Sequence, residues 1–214
     1  MLQHLLDFIF PRQCLVCKVG GGYFCGRCRP LLRLAAAPDD LNVMAGFDYD
    51  DPAIKKAIWK LKYSGLTSLA SELAELLSER LAEDIADLKH FSGREKIVVT
   101  PIPLSAKRRR ERGYNQSALL AKALAKKWPD TLEYSEILEK IRETPPQASL
   151  KNRAARLDNL RGAFKLRPGA VVTGRTIIVI DDVVTTGATL AEARRALKES
   201  RPSTLLGAAL AHRE

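Results

Sequence analysis

Apolar positions along this chain change period as it proceeds, and the changes mark out elements. Val43-Met-Ala-Gly-Phe-Asp-Tyr49 reads as a strand, and Asp51-Pro52 supplies an N-cap followed by proline at the first helical position. The helix opened there runs toward Lys62 and stops at Ser64-Gly65. A second helix begins near Thr67, where Leu69, Leu73, Leu76, Leu77 and Leu81 form one apolar stripe suited to a core. From residue 96 the pattern becomes strand, loop, helix, repeated. Lys96-Ile-Val-Val-Thr100 is a buried-type strand that ends at Pro101 and Pro103. Ser105 to Asn115 is a polar loop leading to a helix over 116–127, and Glu136–Ile141 is a weaker strand. A loop with Pro145-Pro146 and a helical stretch over 150–161 follow. Thr176-Ile-Ile-Val-Ile180 is the strongest strand, with acids at its C-terminal end. After it come a glycine-containing loop, a helix with Leu190, Ala193 and Leu197 on one face, and a strand near 204–211. Strands alternating with helices predict an α/β fold with a mostly parallel sheet, and ligands held outside the carboxyl ends of its strands.

The first 38 residues do not follow this alternation. Met1 to Phe10 is an apolar stretch interrupted by Asp7 and without a basic lead-in, which reads as a short amphipathic helix docked on the body rather than a signal peptide. All four cysteines follow it, and Ala35-Ala-Ala-Pro38 ends the segment as a linker. The expected division is therefore 1–38, an N-terminal helix with a cysteine module, and 39–214, an α/β domain.

Cys14-Leu-Val-Cys17 and Cys25-Gly-Arg-Cys28 are two Cys-x-x-Cys knuckles. Each can place two thiolates on one ion, and together they complete a tetrahedral S₄ site for structural zinc. A redox pair, an unliganded buried cluster and an Fe–S centre are the alternatives. Confinement of every cysteine to residues 14–28 argues against a disulfide framework and for a reducing, cytoplasmic setting. No apolar run reaches the length that spans a bilayer.

Charge adds a partner class. Lysine and arginine outnumber the acids by 35 to 25, a net charge of +10, which suits nucleic acid, an anionic membrane surface or a phosphorylated small molecule. The densest run is Lys107-Arg-Arg-Arg-Glu-Arg112. It follows a strand end, where it could meet a phosphorylated ligand or a DNA backbone, or be a solvated face. His4, His90 and His212 are isolated, and none reads as catalytic.

The most informative segment is Ile177 to Thr189. An apolar strand delivers two adjacent carboxylates, Asp181 and Asp182, to the sheet edge, and small hydroxyl residues with a glycine then turn directly into a helix. Such a loop offers consecutive backbone N–H groups, threonine hydroxyls and the positive end of a helix to one phosphate. Neighbouring carboxylates bind phosphate poorly but accept well from two vicinal ribose hydroxyls. The layout fits a sugar carrying a 5′-phosphate. An ordinary acidic turn capped by threonines is the plainer reading.

This segment resembles the ligand motif of the type I phosphoribosyltransferases, and the likeness extends over nearly the whole chain to the ComF family of competence-associated proteins, also called GntX-like. The paired knuckles carry it, with Leu61-Lys-Tyr-Ser-Gly65, Thr100-Pro-Ile-Pro-Leu104, Arg112-Gly-Tyr-Asn-Gln116, Thr144-Pro-Pro-Gln147 and Arg156 to Phe164. Thr100 stands where valine is expected and Lys140 where arginine is common. The resemblance implies a type I phosphoribosyltransferase fold, a mostly parallel twisted sheet with flanking helices, plus a small N-terminal zinc-binding module. It implies that 5-phosphoribosyl-1-pyrophosphate (PRPP) binds with Mg2+. Asp181 and Asp182 would be the catalytic pair on the ribose diol, and Val183, Val184, Thr185, Thr186, Gly187, Ala188 and Thr189 would cradle the 5′-phosphate. Arg108, Arg109 and Arg112 would face pyrophosphate. The resemblance links the chain to natural competence, with single-stranded DNA and competence-machinery proteins as partners. Two functions stay open: phosphoribosyl transfer to an unidentified acceptor, or a non-catalytic PRPP-responsive scaffold that binds DNA or a partner. The stretch between 38 and 95 would have to supply an acceptor pocket, and nothing in it names a substrate.

Overall fold

Ile177-Ile-Val-Ile180 has no polar position to turn toward water, so the strand containing it must be covered on both faces. The computed structural model, which describes residues 12–38, 40, 42–144 and 158–213, places that strand at the centre of its sheet. In chain order the elements are β1 (Val43–Asp48), α1 (Pro52–Tyr63), α2 (Leu69–Arg80), α3 (Ala82–Ser92), β2 (Ile97–Pro101), α4 (Ala106–Arg112), α5 (Gln116–Lys127), β3 (Leu132–Tyr134), β4 (Leu138–Lys140), β5 (Phe164–Leu166), β6 (Thr176–Val184), α6 (Ala188–Lys198) and β7 (Thr204–His212). Strands β1, β7, β6, β2 and β3 lie side by side in that order, and every neighbouring pair is parallel. Strands β4 and β5 form a separate antiparallel pair.

Alternation along β6 divides the core in two. Ile178 and Ile180 join Ile54, Ile58 and Leu61 of α1, the leucines of α2, and Leu120 and Leu124 of α5. Ile177 and Val179 face the other way, onto Leu190, Ala193 and Leu197 of α6 and onto Leu138 and Phe164 of the small pair. From β2 the chain steps outward to β3, whereas from β6 it steps the opposite way to β7. The strand order thus reverses between β2 and β6, and a crevice opens above their carboxyl ends.

The structure departs from the sequence expectations in several places. Ser105 to Asn115 is not a loop: residues 106–112 are helical because Ser105 accepts from the Arg108 N–H as N-cap and Gly113, at φ +81°, closes the C-terminus in the left-handed region. Strand β6 runs past Ile180 through both aspartates to Val184, because β7 stays paired with it as far as His212. The leucine stripe of α2 ends at Arg80, and α3 is a helix of its own. Strands β3 and β5 escape sequence reading because three residues show no period. The expected helix over 1–10, the Pro145-Pro146 loop and most of the helix over 150–161 lie outside the described residues. Among the described residues no helix is long and apolar enough to cross a membrane.

The cysteine segment packs on α2. Tyr23, Phe24 and Leu32 are buried in the α1–α2–α5 core, and Glu72 accepts from the backbone N–H groups of both Tyr23 (2.8 Å) and Phe24 (3.1 Å). Arg29 reaches Glu75 at 2.7 Å. Glu72→Ala strands two part-buried donors, and unmade hydrogen bonds of that kind cost about 1–3 kcal/mol. The urea midpoint should fall in Glu72→Ala and largely recover in Glu72→Gln, whose amide oxygen can still accept.

Candidate functional site

Beyond Ile180, β6 has lost β2 as a neighbour, since the last Cα pair between them is Pro101 with Ile180. Asp181 and Asp182 therefore stand at the floor of the crevice between β2 and β6. The Asp181 carboxylate accepts from Ser117 Oγ at 3.1 Å and from the Asp182 N–H at 2.9 Å. Asp182 shares the side of β6 that carries Ile178 and Ile180, beneath α1, and there its Oδ2 meets the ammonium of Lys62.

Two distant sequence motifs bring that lysine into place. Leu61 is fully buried, and its carbonyl accepts from Tyr114 Oη. Tyr63, two residues on, lies under the Arg112 guanidinium at 5.4 Å, and Arg112 also bonds the Gln116 side chain. Asn115 caps α5 by accepting from the Ser117 N–H and ties back to the Ile102 carbonyl through its Nδ2. The Leu61-Lys-Tyr and Arg112-Gly-Tyr-Asn-Gln segments thus hold the C-terminus of α1 over the acid pair.

Burial dominates the electrostatics here. It raises the Asp181 carboxyl to about 8, with the Asp182 charge adding to the rise. Burial also pushes Asp182 upward, but the Lys62 ammonium outweighs it and holds this carboxyl below its ordinary range. Burial pulls Lys62 down, and Asp182 more than restores it. Asp181 keeps its proton in the fold to about pH 8 but ionises near 3.9 when unfolded. Its contribution to stability is therefore full at low pH and lost as pH rises through about 8. Asp182 has the opposite sign, since its contribution is present above the unfolded value and lost as pH falls through the folded one. Melting temperatures of ligand-free Asp181→Asn at about pH 5.5 and pH 8 should differ less than those of the wild type, with the variant gaining most at the higher pH.

After Val184 the chain turns through Thr185, Thr186 and Gly187 into α6. Gly187 sits at φ +72°, a left-handed conformation that other residues adopt only with strain, and its carbonyl takes the Ala191 N–H. Residues 181 through 190 all line one cleft of about 750 Å³, within the usual range for small-ligand sites. Arg108 and Arg112, one helical turn apart, line it from α4. Arg109 is turned about 100° away on the same helix and lies exposed outside the lining, so only two of the three expected arginines face the site. Lys140 also lines the cleft, and burial together with Arg108 lowers its pKa. Thr100 is fully buried and accepts from the Ile137 N–H, outside the lining. Lys62, Lys140 and Arg213 are cleft cations to which sequence reading gave no role. Only the occurrence of Lys62 inside a motif hinted at one.

Outside the cleft lining, the sulfurs of Cys14, Cys17, Cys25 and Cys28 all lie within 4.8 Å of one another. Four thiolates at about 2.3 Å from one tetrahedral zinc would stand about 3.8 Å apart, and one pair, Cys17 and Cys25, is at 3.6 Å. The cluster fits a closed S₄ centre.

Comparison with known proteins agrees with this architecture. Residues 114–214 match the phosphoribosyl transferase domain family. The DNA utilization protein YhgH of Escherichia coli O157:H7 is 33% identical over 85% of this chain and 74% of its own length. The competence protein ComFC of Bacillus subtilis is 33% identical over 72% of this chain and 56% of its own. Competence protein F of Haemophilus influenzae is 34% identical over 47% of this chain and 44% of its own. The fold, the paired cysteine knuckles and this identity place the chain in the ComF family, whose phosphoribosyltransferase-type sheet it shares.

Proposed function

We propose that the cleft binds PRPP, and that the chain uses this ligand in handling incoming DNA during natural competence. One observation carries the reading: the acid pair, a glycine-turned helix entrance and several cations line a single cleft where the strand order reverses. The loop from Val183 to Thr189 would hold the 5′-phosphate, Asp181 and Asp182 would accept from the ribose hydroxyls, and Arg108 and Arg112 would receive the pyrophosphate. Magnesium fits as an ion carried by the ligand. The floor offers one protonated carboxyl, Asp181, and one carboxylate already paired with Lys62, so the ion would keep most of its waters and neutralise pyrophosphate charge. In a transfer reaction the acceptor's lone pair forms the new bond to C1 while the C1–O bond breaks and its electron pair leaves on pyrophosphate. The chain's part would be to position the ribose and stabilise the departing charge. Pyrophosphate release that depends on an added nucleobase or amine would establish transfer. PRPP binding without release under any acceptor would leave a PRPP-responsive scaffold.

A second observation favours contact with single-stranded DNA. On α1, Trp59 and Tyr63 are 57% and 65% exposed, and their rings lie 6.0 Å apart. Lys56 and Lys60 flank them, and Lys18 of the cysteine segment comes close enough to Lys56 to lower its pKa. Exposed rings beside crowded cations suit stacked bases on a phosphate track. Trp59→Ala should weaken binding of a labelled oligonucleotide about tenfold, a loss typical of one stacked base. Wild-type affinity should drop steeply between about 50 and 200 mM salt, and a flat salt response would remove the counterion-release basis for this contact.

A further inference from the structure

The Lys62–Asp182 pair sits where the proposed ligand's ribose must bind. Its two side chains are only 21% and 6% exposed, so neither charge has much water to fall back on. Oδ2 of Asp182, the oxygen the ammonium meets, is buried, so a ribose hydroxyl can take it only by displacing the ammonium. A displaced, largely desolvated ammonium needs another anion, because an unpaired charge at that depth is strongly unfavourable. The backbone cannot carry the lysine away, since the Leu61 carbonyl is held by Tyr114 and Tyr63 by Arg112. The flexible four-carbon stem can swing, and what lies within its reach is the cleft itself, whose arginine-lined wall is where pyrophosphate would lie.

We propose that Lys62 is a specificity-determining counter-ion that closes the empty site on Asp182 and passes to the anionic group at ribose C1 when the ligand enters. This rests on the reading of the cleft as a PRPP site. A ligand with the same ribose and 5′-phosphate but no anion at C1 would strand Lys62, and the cleft would reject it. Lys62 thereby selects diphosphorylated ribose over ribose 5-phosphate, in addition to the attraction of Arg108 and Arg112.

The test compares dissociation constants of PRPP and ribose 5-phosphate, measured by calorimetry with magnesium, for wild type, Lys62→Met and Lys62→Arg. Ribose 5-phosphate should bind Lys62→Met about tenfold tighter than wild type, because no ion pair has to be broken, while PRPP moves less. The preference for PRPP should therefore narrow in Lys62→Met and persist in Lys62→Arg, which keeps the cation. Melting temperatures establish that the variants are folded, and the arginine variant decides the matter if the methionine variant is not. Equal weakening of both ligands in Lys62→Met, or loss of the preference in Lys62→Arg, would make Lys62 a structural residue and overturn the proposal. Failure of wild type to bind either ligand would instead overturn the PRPP reading, and this proposal with it.

Discussion

Asp182→Asn is expected to lower PRPP affinity by about 10- to 100-fold. Hydrogen bonds to a charged acceptor are worth about 1.5–3 kcal/mol, and each 1.4 kcal/mol is a factor of ten in a dissociation constant. The amide keeps the shape of the side chain but replaces a charged acceptor with a group that is half donor. It also leaves the Lys62 ammonium facing a neutral partner, so a lower melting temperature should accompany the loss of affinity. Glu83→Gln, on the exposed side of α3, should change neither property.

The cysteine centre should give the larger effect on stability. Cys28 is buried, and the segment around it contributes Tyr23, Phe24 and Leu32 to the same core that α2 and α5 share. If the four sulfurs hold one ion, Cys28→Ser would remove one of its four ligands, and loss of a structural metal is among the few changes that cost more than about 4 kcal/mol. For a chain of this size each kcal/mol lowers the melting temperature by about 2–4 °C, so a drop of roughly 10 °C is expected. Metal analysis should find about one zinc per wild-type chain and far less in the variant. An equal zinc content in both proteins would mean that the four sulfurs do not form one centre.

Much of this architecture is legible in the sequence because the informative elements obey strong local rules. A β-branched run without polar interruption can only be a doubly covered strand, and Asp51-Pro52 fixes the start of α1 through a cap in which Asp51 accepts from the N–H groups of Ala53 and Ile54. The Val183–Thr189 loop and the cysteine knuckles are contiguous, so spacing alone defines them. What the sequence conceals is long-range. Lys62 meets Asp182 across 120 positions, and nothing in the order of residues says that α1 ends above β6. Likewise, Arg108 and Arg109 look equivalent in a basic run until a helix turns one into the cleft and the other to solvent. That helix escaped prediction because its sequence, Ala-Lys-Arg-Arg-Arg-Glu-Arg, has no apolar stripe. It is fixed by Ser105 and Gly113 at its two ends.

The central claim, that this cleft is a PRPP site, is tested most directly by the melting temperature of the wild-type chain with and without magnesium and PRPP. A ligand that binds only the folded state stabilises it by about 2.7 kcal/mol at one hundred times its dissociation constant, a rise of about 5–10 °C at this chain length. A rise that grows with PRPP concentration is the predicted result. No shift at about 1 mM PRPP, where even a ligand binding at 10 μM would be at one hundred times its dissociation constant, would contradict it.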